Sequence, residues 1–269
     1  MNRRRFLKVG GLFLLAAMAF PSIVRAGIAP NIMKDLMAVS TTVSSSVALF
    51  YVTTTGASQV LTIAALTVSS SMTVDWGDSS QNAYTGTGAR THTYAVAGTY
   101  TVQFLAPLLV TKLAISDSKV TLNSNQIKTI SNVTDFEIFG LKAGTFNSTD
   151  ISAWRPTTFF LSTMPTATFT TTITSGGFAG WIGVTALDLL ALGLSQGYVN
   201  QVLTDCYTAF ATRTATGGAI TLNGTGNAAP SGTYQSNCPP TSGKETAYDL
   251  INDPCTVNPT KKWTTITTN

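Results

Sequence analysis

Asp75, Asp78 and His92 are the chain's one grouping of ionisable side chains around a turn-rich stretch. Two carboxylates three residues apart can contribute to a Ca²⁺ site, but that ion takes about six to eight oxygens, so carbonyls and water would have to supply the rest. The same residues also suit a turn scaffold, with Asp78 accepting backbone N–H groups and His92 packing beside it. The scaffold is the expectation. His92 is the only histidine and already belongs to this turn pattern, so a serine-hydrolase triad has no free base to build on. A glycosidase needs only two carboxylates. Asp117, Asp135, Glu137 and Asp188 lie in or beside predicted strands, where two could share a face, although isolated acids on such faces are ordinarily solvated. No glycine-rich phosphate loop precedes a helix. The sequence therefore assigns no catalytic residue, cofactor or metal ligand, and a non-enzymatic protein is expected.

The aromatics offer recognition instead of reaction. Phe139, Trp154, Trp181 and Tyr198 are candidates for a carbohydrate- or protein-binding surface, and their competing role is to fill the core. Of the three cysteines, Cys238 and Cys255 bracket a Pro- and Ser-containing loop, while Cys206 falls within a helical pattern. A Cys238–Cys255 disulfide would close an 18-residue segment and stabilise by roughly 3 kcal/mol, leaving Cys206 a buried thiol. With one histidine and no Cys-x-x-Cys, a zinc site is not expected.

These residues must be positioned by a 269-residue chain in which only 10% of side chains are charged, ample for a β-rich core. Its first 26 residues are set apart. Arg3-Arg4-Arg5-Phe6-Leu7-Lys8, an apolar run from Val9 to Ile23 and the small residue Ala26 before Gly27 are similar to a twin-arginine export signal. An extracytoplasmic location is thus expected, with membrane attachment only through an uncleaved leader. The formal charge of +4 belongs to this leader, since residues 27–269 hold 11 basic against 12 acidic groups, a net of −1. Only Lys261-Lys262 is a basic pair there, so nucleic acid is not an expected partner.

Residues 27–45 read as a linker or a short helix (Asn31–Met37) leading into the first strand. Strands are predicted at 47–53, 59–63, 66–68, 72–76, weakly 83–85, and 100–104. Within them, Met72-Thr-Val-Asp-Trp76-Gly-Asp-Ser, then His92-Thr-Tyr94, then Gly98-Thr-Tyr100-Thr-Val102, resembles the PKD (polycystic-kidney-disease-type) domain. The resemblance implies an immunoglobulin-like sandwich over 46–106 that serves as spacer or binding module; Ser79 departs from the family's glycine.

From Leu109 onward a five-residue register recurs. Thr111-Lys-Leu113-Ala-Ile115, Thr134-Asp-Phe136-Glu-Ile138, Thr157-Thr-Phe159-Phe-Leu161, Thr185-Ala-Leu187-Asp-Leu189 and Gly218-Ala-Ile220-Thr-Leu222 lie 23, 23, 28 and 33 residues apart. That period resembles leucine-rich-repeat coils, in which each turn gives one strand to a parallel ladder. Ser195 is a good N-cap for a helix from Gln196 with Val199, Val202, Leu203, Cys206 and Phe210 inward, and a short helix is predicted at 245–251. The expected whole is mainly β: a sandwich followed, over 107–269, by a short solenoid with one or two helices. Its expected work is adhesion or ligand binding at a cell surface through the repeat face. A self-assembling subunit of a filament, surface layer or phage-tail-like structure is the second possibility, and an exported carbohydrate-active enzyme the third.

Overall fold

A computed structural model describes residues 47–269, apart from the side chains of 164–167. The expected leader (1–26) and the linker or short helix expected in 27–45 lie outside the described residues. The fold is mainly β with few helices.

The first strand, β1 (Ala48–Thr54), alternates buried and half-buried residues as a one-sided strand should, with Phe50 and Val52 inward. The three strands expected between 59 and 76 are one, β2 (Gln59–Asp75). Register shifts at Ile63/Leu66 and Val68/Met72 carry it through the Ser69–Ser71 run, where the pattern reads as a break; extra residues bulge without ending the strand. Its hairpin partner β3 (Gln81–Tyr94) is likewise far longer than the weak strand expected at 83–85, and mostly exposed. β4 (Gly98–Phe104) then runs antiparallel to β1 along its whole length.

β5 (Val110–Ser116) pairs with β2 in antiparallel fashion and with β7 (Asp135–Asn147) in parallel. Onward the ladder is parallel throughout: β8 (Thr158–Thr172), β9 (Ala186–Leu190), β10 (Ala219–Thr221) and β11 (Thr265–Thr267). The register is the recurring one. Leu113, Phe136, Phe159, Leu187, Ile220 and Ile266 stack as one buried row, with Ile266 partly buried at the end. A hydroxyl staircase marks each coil's entry: Thr134, Thr157 and Thr185 donate their Oγ1 to the carbonyls of Thr111, Thr134 and Thr157 at 3.1, 2.8 and 3.1 Å. The fifth position is Gly218 because a Cβ there would meet Thr185 O at 2.3 Å, with φ at +102°.

One feature corrects the expected plan of a sandwich followed by a separate solenoid. β6 (Val120–Asn123) joins β1 on one side and the far half of β7 on the other, so β7, β5, β2, β4, β1 and β6 close into a six-strand ring from which β8–β11 extend. Hydrogen bonds thus cross the expected boundary at 106/107, and Ser46–Asn269 clusters as one unit. Two helices cover the extension: α1 (Gln196–Phe210), capped by Ser195 Oγ on Tyr198 N–H, and α2 (Gly243–Asn252), with a Ser242/Glu245 capping box.

Candidate functional site

Of the four aromatics named as a ligand surface, Trp154 and Trp181 are in the core, at 0% and 2% exposure. Each sits in a tight turn in which its N–H donates to the carbonyl three residues earlier, Ile151 for Trp154 and Phe178 for Trp181. That turn points the side chain between coils. Trp154 packs on Phe136 (5.3 Å between centroids) and Trp181 on Phe159 (5.0 Å). In the next coil Arg213 takes the equivalent place, three residues after Phe210. It is 3% exposed, donates to the carbonyls of Val184, Gly217, Lys261 and Lys262, and lies 3.9 Å over the ring of Trp263. Burial pulls its guanidinium down to about 10. Tyr198 is half-buried on α1, packed against the core. Phe139 is half-buried on the ladder's outward side.

That outward side is built by the alternation that buries Leu113 and its row. One row runs Lys112, Asp135, Thr158, Ala186, Ala219, Thr265; the next runs Ala114, Glu137, Phe160, Asp188, Thr221, Thr267. Phe160, which sequence reasoning did not single out, lies between Glu137 and Asp188, and its ring centroid is 6.0 Å from that of Phe139. Its signal was present as the fourth residue of Thr157-Thr-Phe-Phe-Leu161, an outward slot holding a large apolar group. Lys112 pairs with both Asp135 and Glu137 (Nζ to Glu137 Oε1, 2.9 Å), and those hydrogen bonds hold its ammonium above the usual lysine range. Asp188 has no such cation among the described residues. Its Oδ1 is shut from solvent without a partner among the described residues, and burial pushes its carboxyl up.

Three of the four carboxylates weighed as a glycosidase pair therefore share this face. Asp117 does not: it is buried off the ladder, accepting from Lys119 N–H at 2.9 Å and pairing with Lys119 Nζ at 2.8 Å.

Asp75, Asp78 and His92 are brought together, as turn scaffold. Asp75 accepts from Gly77 N–H and Gln81 Nε2; Asp78 accepts from Ser80 N–H and Oγ, and its Oδ2 lies 2.7 Å from His92 Nε2. All four carboxylate oxygens are engaged by donors or by the histidine ring. Burial works against the Asp78 charge, but Ser80 and His92 more than offset it and hold the carboxyl below its ordinary value. His92 stacks on Trp76 at 4.9 Å, and Tyr94 donates to the Trp76 carbonyl. Cys238 and Cys255 form the expected disulfide, and Cys206 is a buried thiol that burial pushes up to about 12.

Neither family models, curated proteins nor solved structures give a match to this chain.

Proposed function

We propose that this protein works outside the cytoplasm as a non-catalytic surface protein that binds carbohydrate on the outward face of its parallel ladder. The observation that carries this is the Glu137–Phe160–Asp188 row, flanked by Phe139. A part-exposed ring with a carboxylate on either side suits a sugar: its C–H face packs on the aromatic, while hydroxyls donate to Glu137, whose side chain reaches solvent. Neighbouring strands are about 4.8 Å apart, so the two acids lie roughly 10 Å apart across the ring, the width of one or two sugar units. Phe160 stands where a bond to be hydrolysed would lie, which supports holding over cleavage.

Four features of the chain support the wider setting. The ladder register fits coils of the leucine-rich-repeat kind, and the packed Trp76, His92, Tyr94 and Tyr100 rings fit the landmarks shared with PKD domains. The leader-like first 26 residues and the disulfide support export.

The test is retention of the full chain on a panel of insoluble and gel-embedded polysaccharides, with Phe160→Ala as the control. Retention by wild type, weakened about tenfold in the variant, supports the proposal. Binding that the variant leaves unchanged places the site elsewhere.

Self-assembly is the second reading, and one observation favours it. β3 pairs only with β2 and leaves a 14-residue edge open among the described residues, with Arg90 its single charged residue. Fibres or sheets in negative stain would support it.

A further inference from the structure

Helix α2 carries carboxylates at Glu245 and Asp249, and its C-cap adds Asp253; all three are shut from solvent, at 5%, 1% and 8% exposure. Two of them are well supplied with donors. Glu245 accepts from the N–H and hydroxyl of Thr241, the N–H of Ser242 and the side-chain amides of Gln235 and Asn237. Asp253 accepts from the backbone N–H groups of Val257 at 2.6 Å and Asn258 at 3.0 Å.

Asp249 is the exception. Its Oδ1 has no hydrogen-bond partner among the described residues, and its Oδ2 lies 3.5 Å from Cys255 Sγ. That sulfur is in the disulfide and has no proton to give, so only a protonated carboxyl can donate across the contact. Burial, then the fields of Glu245 and Asp253, push the Asp249 carboxyl up to about 6. Tyr207 on α1 also faces this group, its phenol pushed up by burial and then by Asp249 and Asp253. No cation is among the groups that act on Asp249.

The two sulfurs are unequal in access. Cys238 is exposed on the loop before α2, whereas Cys255 is half-buried against Asp249. A thiolate from outside meets Cys238 first, which makes Cys255 the leaving group.

We infer that Cys238–Cys255 is an exchange-competent disulfide for external thiols, with Asp249 the proton donor to Cys255 as it leaves. In the first step the external thiolate attacks Cys238 Sγ, and the new S–S bond forms as the Cys238–Cys255 bond breaks. The electron pair goes to Cys255 Sγ, which takes the Asp249 proton and leaves a carboxylate. In the second step the other thiol of an external dithiol, as thiolate, attacks its own sulfur in the mixed disulfide. Cys238 departs as thiolate and is protonated from water. Two electrons have then passed from dithiol to protein. The reverse, with the Asp249 carboxylate taking the Cys255 proton, oxidises a partner dithiol. None of this depends on the ladder face.

The test is the rate of disulfide reduction in the full chain by dithiothreitol between pH 4.5 and 8.5, read by alkylation and mass mapping and divided by the thiolate fraction of the reagent. The corrected rate constant is expected to fall by about tenfold or more as pH rises through about 6, because the proton donor is lost. Asp249→Asn should give a flat profile at the wild-type high-pH level. Limiting glutathione should leave its adduct on Cys238. A flat wild-type profile overturns the inference, as does an adduct on Cys255. The wild-type profile decides alone if the variant does not fold, and the buried Cys206 gives no competing signal.

Discussion

Replacing Asn227 by Ala should loosen the last coils more than any other single amide deletion. Asn227 is 6% exposed. Its Oδ1 accepts from the N–H groups of Leu192 and Leu194, both at 3.0 Å, and its Nδ2 donates to the carbonyls of Leu189, Leu222 and Asn223 at 2.8, 3.0 and 3.1 Å. One side chain thus satisfies backbone groups on both sides of the β9–β10 step. Alanine leaves two buried N–H groups without an acceptor, at about 1–3 kcal/mol each. The carbonyl side adds less, since Asn223 O keeps the N–H of Ala191 at 3.3 Å. The total is roughly 2–6 kcal/mol, and for a domain of this size each kcal/mol moves Tm by about 2–4 °C. Calorimetry of the full chain should show Tm lower by about 10 °C. Asn227→Asp keeps the acceptor but sets a carboxylate against three carbonyls, so it should be worse than Ala near neutral pH and recover as it protonates. A Tm for the Ala variant within about 2 °C of wild type would refute this account of the coil junction.

Trp154→Ala, at a coil plug, should cost about 3–5 kcal/mol in urea denaturation, whereas Phe160→Ala on the outward row should cost less than half as much. Gly218→Ala forces a Cβ against Thr185 O, so amide exchange at Ile220 and Ile266 should accelerate as β10 and β11 separate from β9. The two acids of α2 should give opposite pH trends. Glu245 is held down to about 2 by its donors from an ordinary 4.5, so its contribution is full above that value and lost as pH falls toward 2; urea midpoints of wild type and Glu245→Gln should converge there. Asp249 is raised to about 6 from 3.8, so its contribution is present at low pH and lost as pH rises through 6; Asp249→Asn should flatten that decline.

The ladder was legible because its physical cause is local and repeated. Each coil needs two inward apolar residues two apart and a threonine whose hydroxyl reaches the coil before, and Thr134-Asp-Phe136-Glu-Ile138 states both. The α1 cap and the disulfide were legible for the same reason, with Ser195 and the Cys238/Cys255 pair each carrying their own signal. What was not legible depends on partners far along the chain. The exposed polar residues of β3 carry no period that announces a 14-residue strand; its length comes from pairing with β2. Ring closure through β6 rests on two-residue contact with β1, invisible in Val120–Asn123 alone. Trp154 and Trp181 have the composition of a binding surface, and only their turns send them inward. Phe160 shows the converse, since adjacent Phe159 and Phe160 point to opposite faces and only the register tells which is which.

The central claim is that the outward ladder face, and not the β3 edge, is where this protein meets its ligand. Amide exchange measured with and without a retained polysaccharide tests it directly. Protection centred on Glu137, Phe139, Phe160 and Asp188, and lost in Phe160→Ala, is the predicted result. Protection confined to Gln81–Tyr94, or none at the ladder while the polysaccharide is bound, would contradict it.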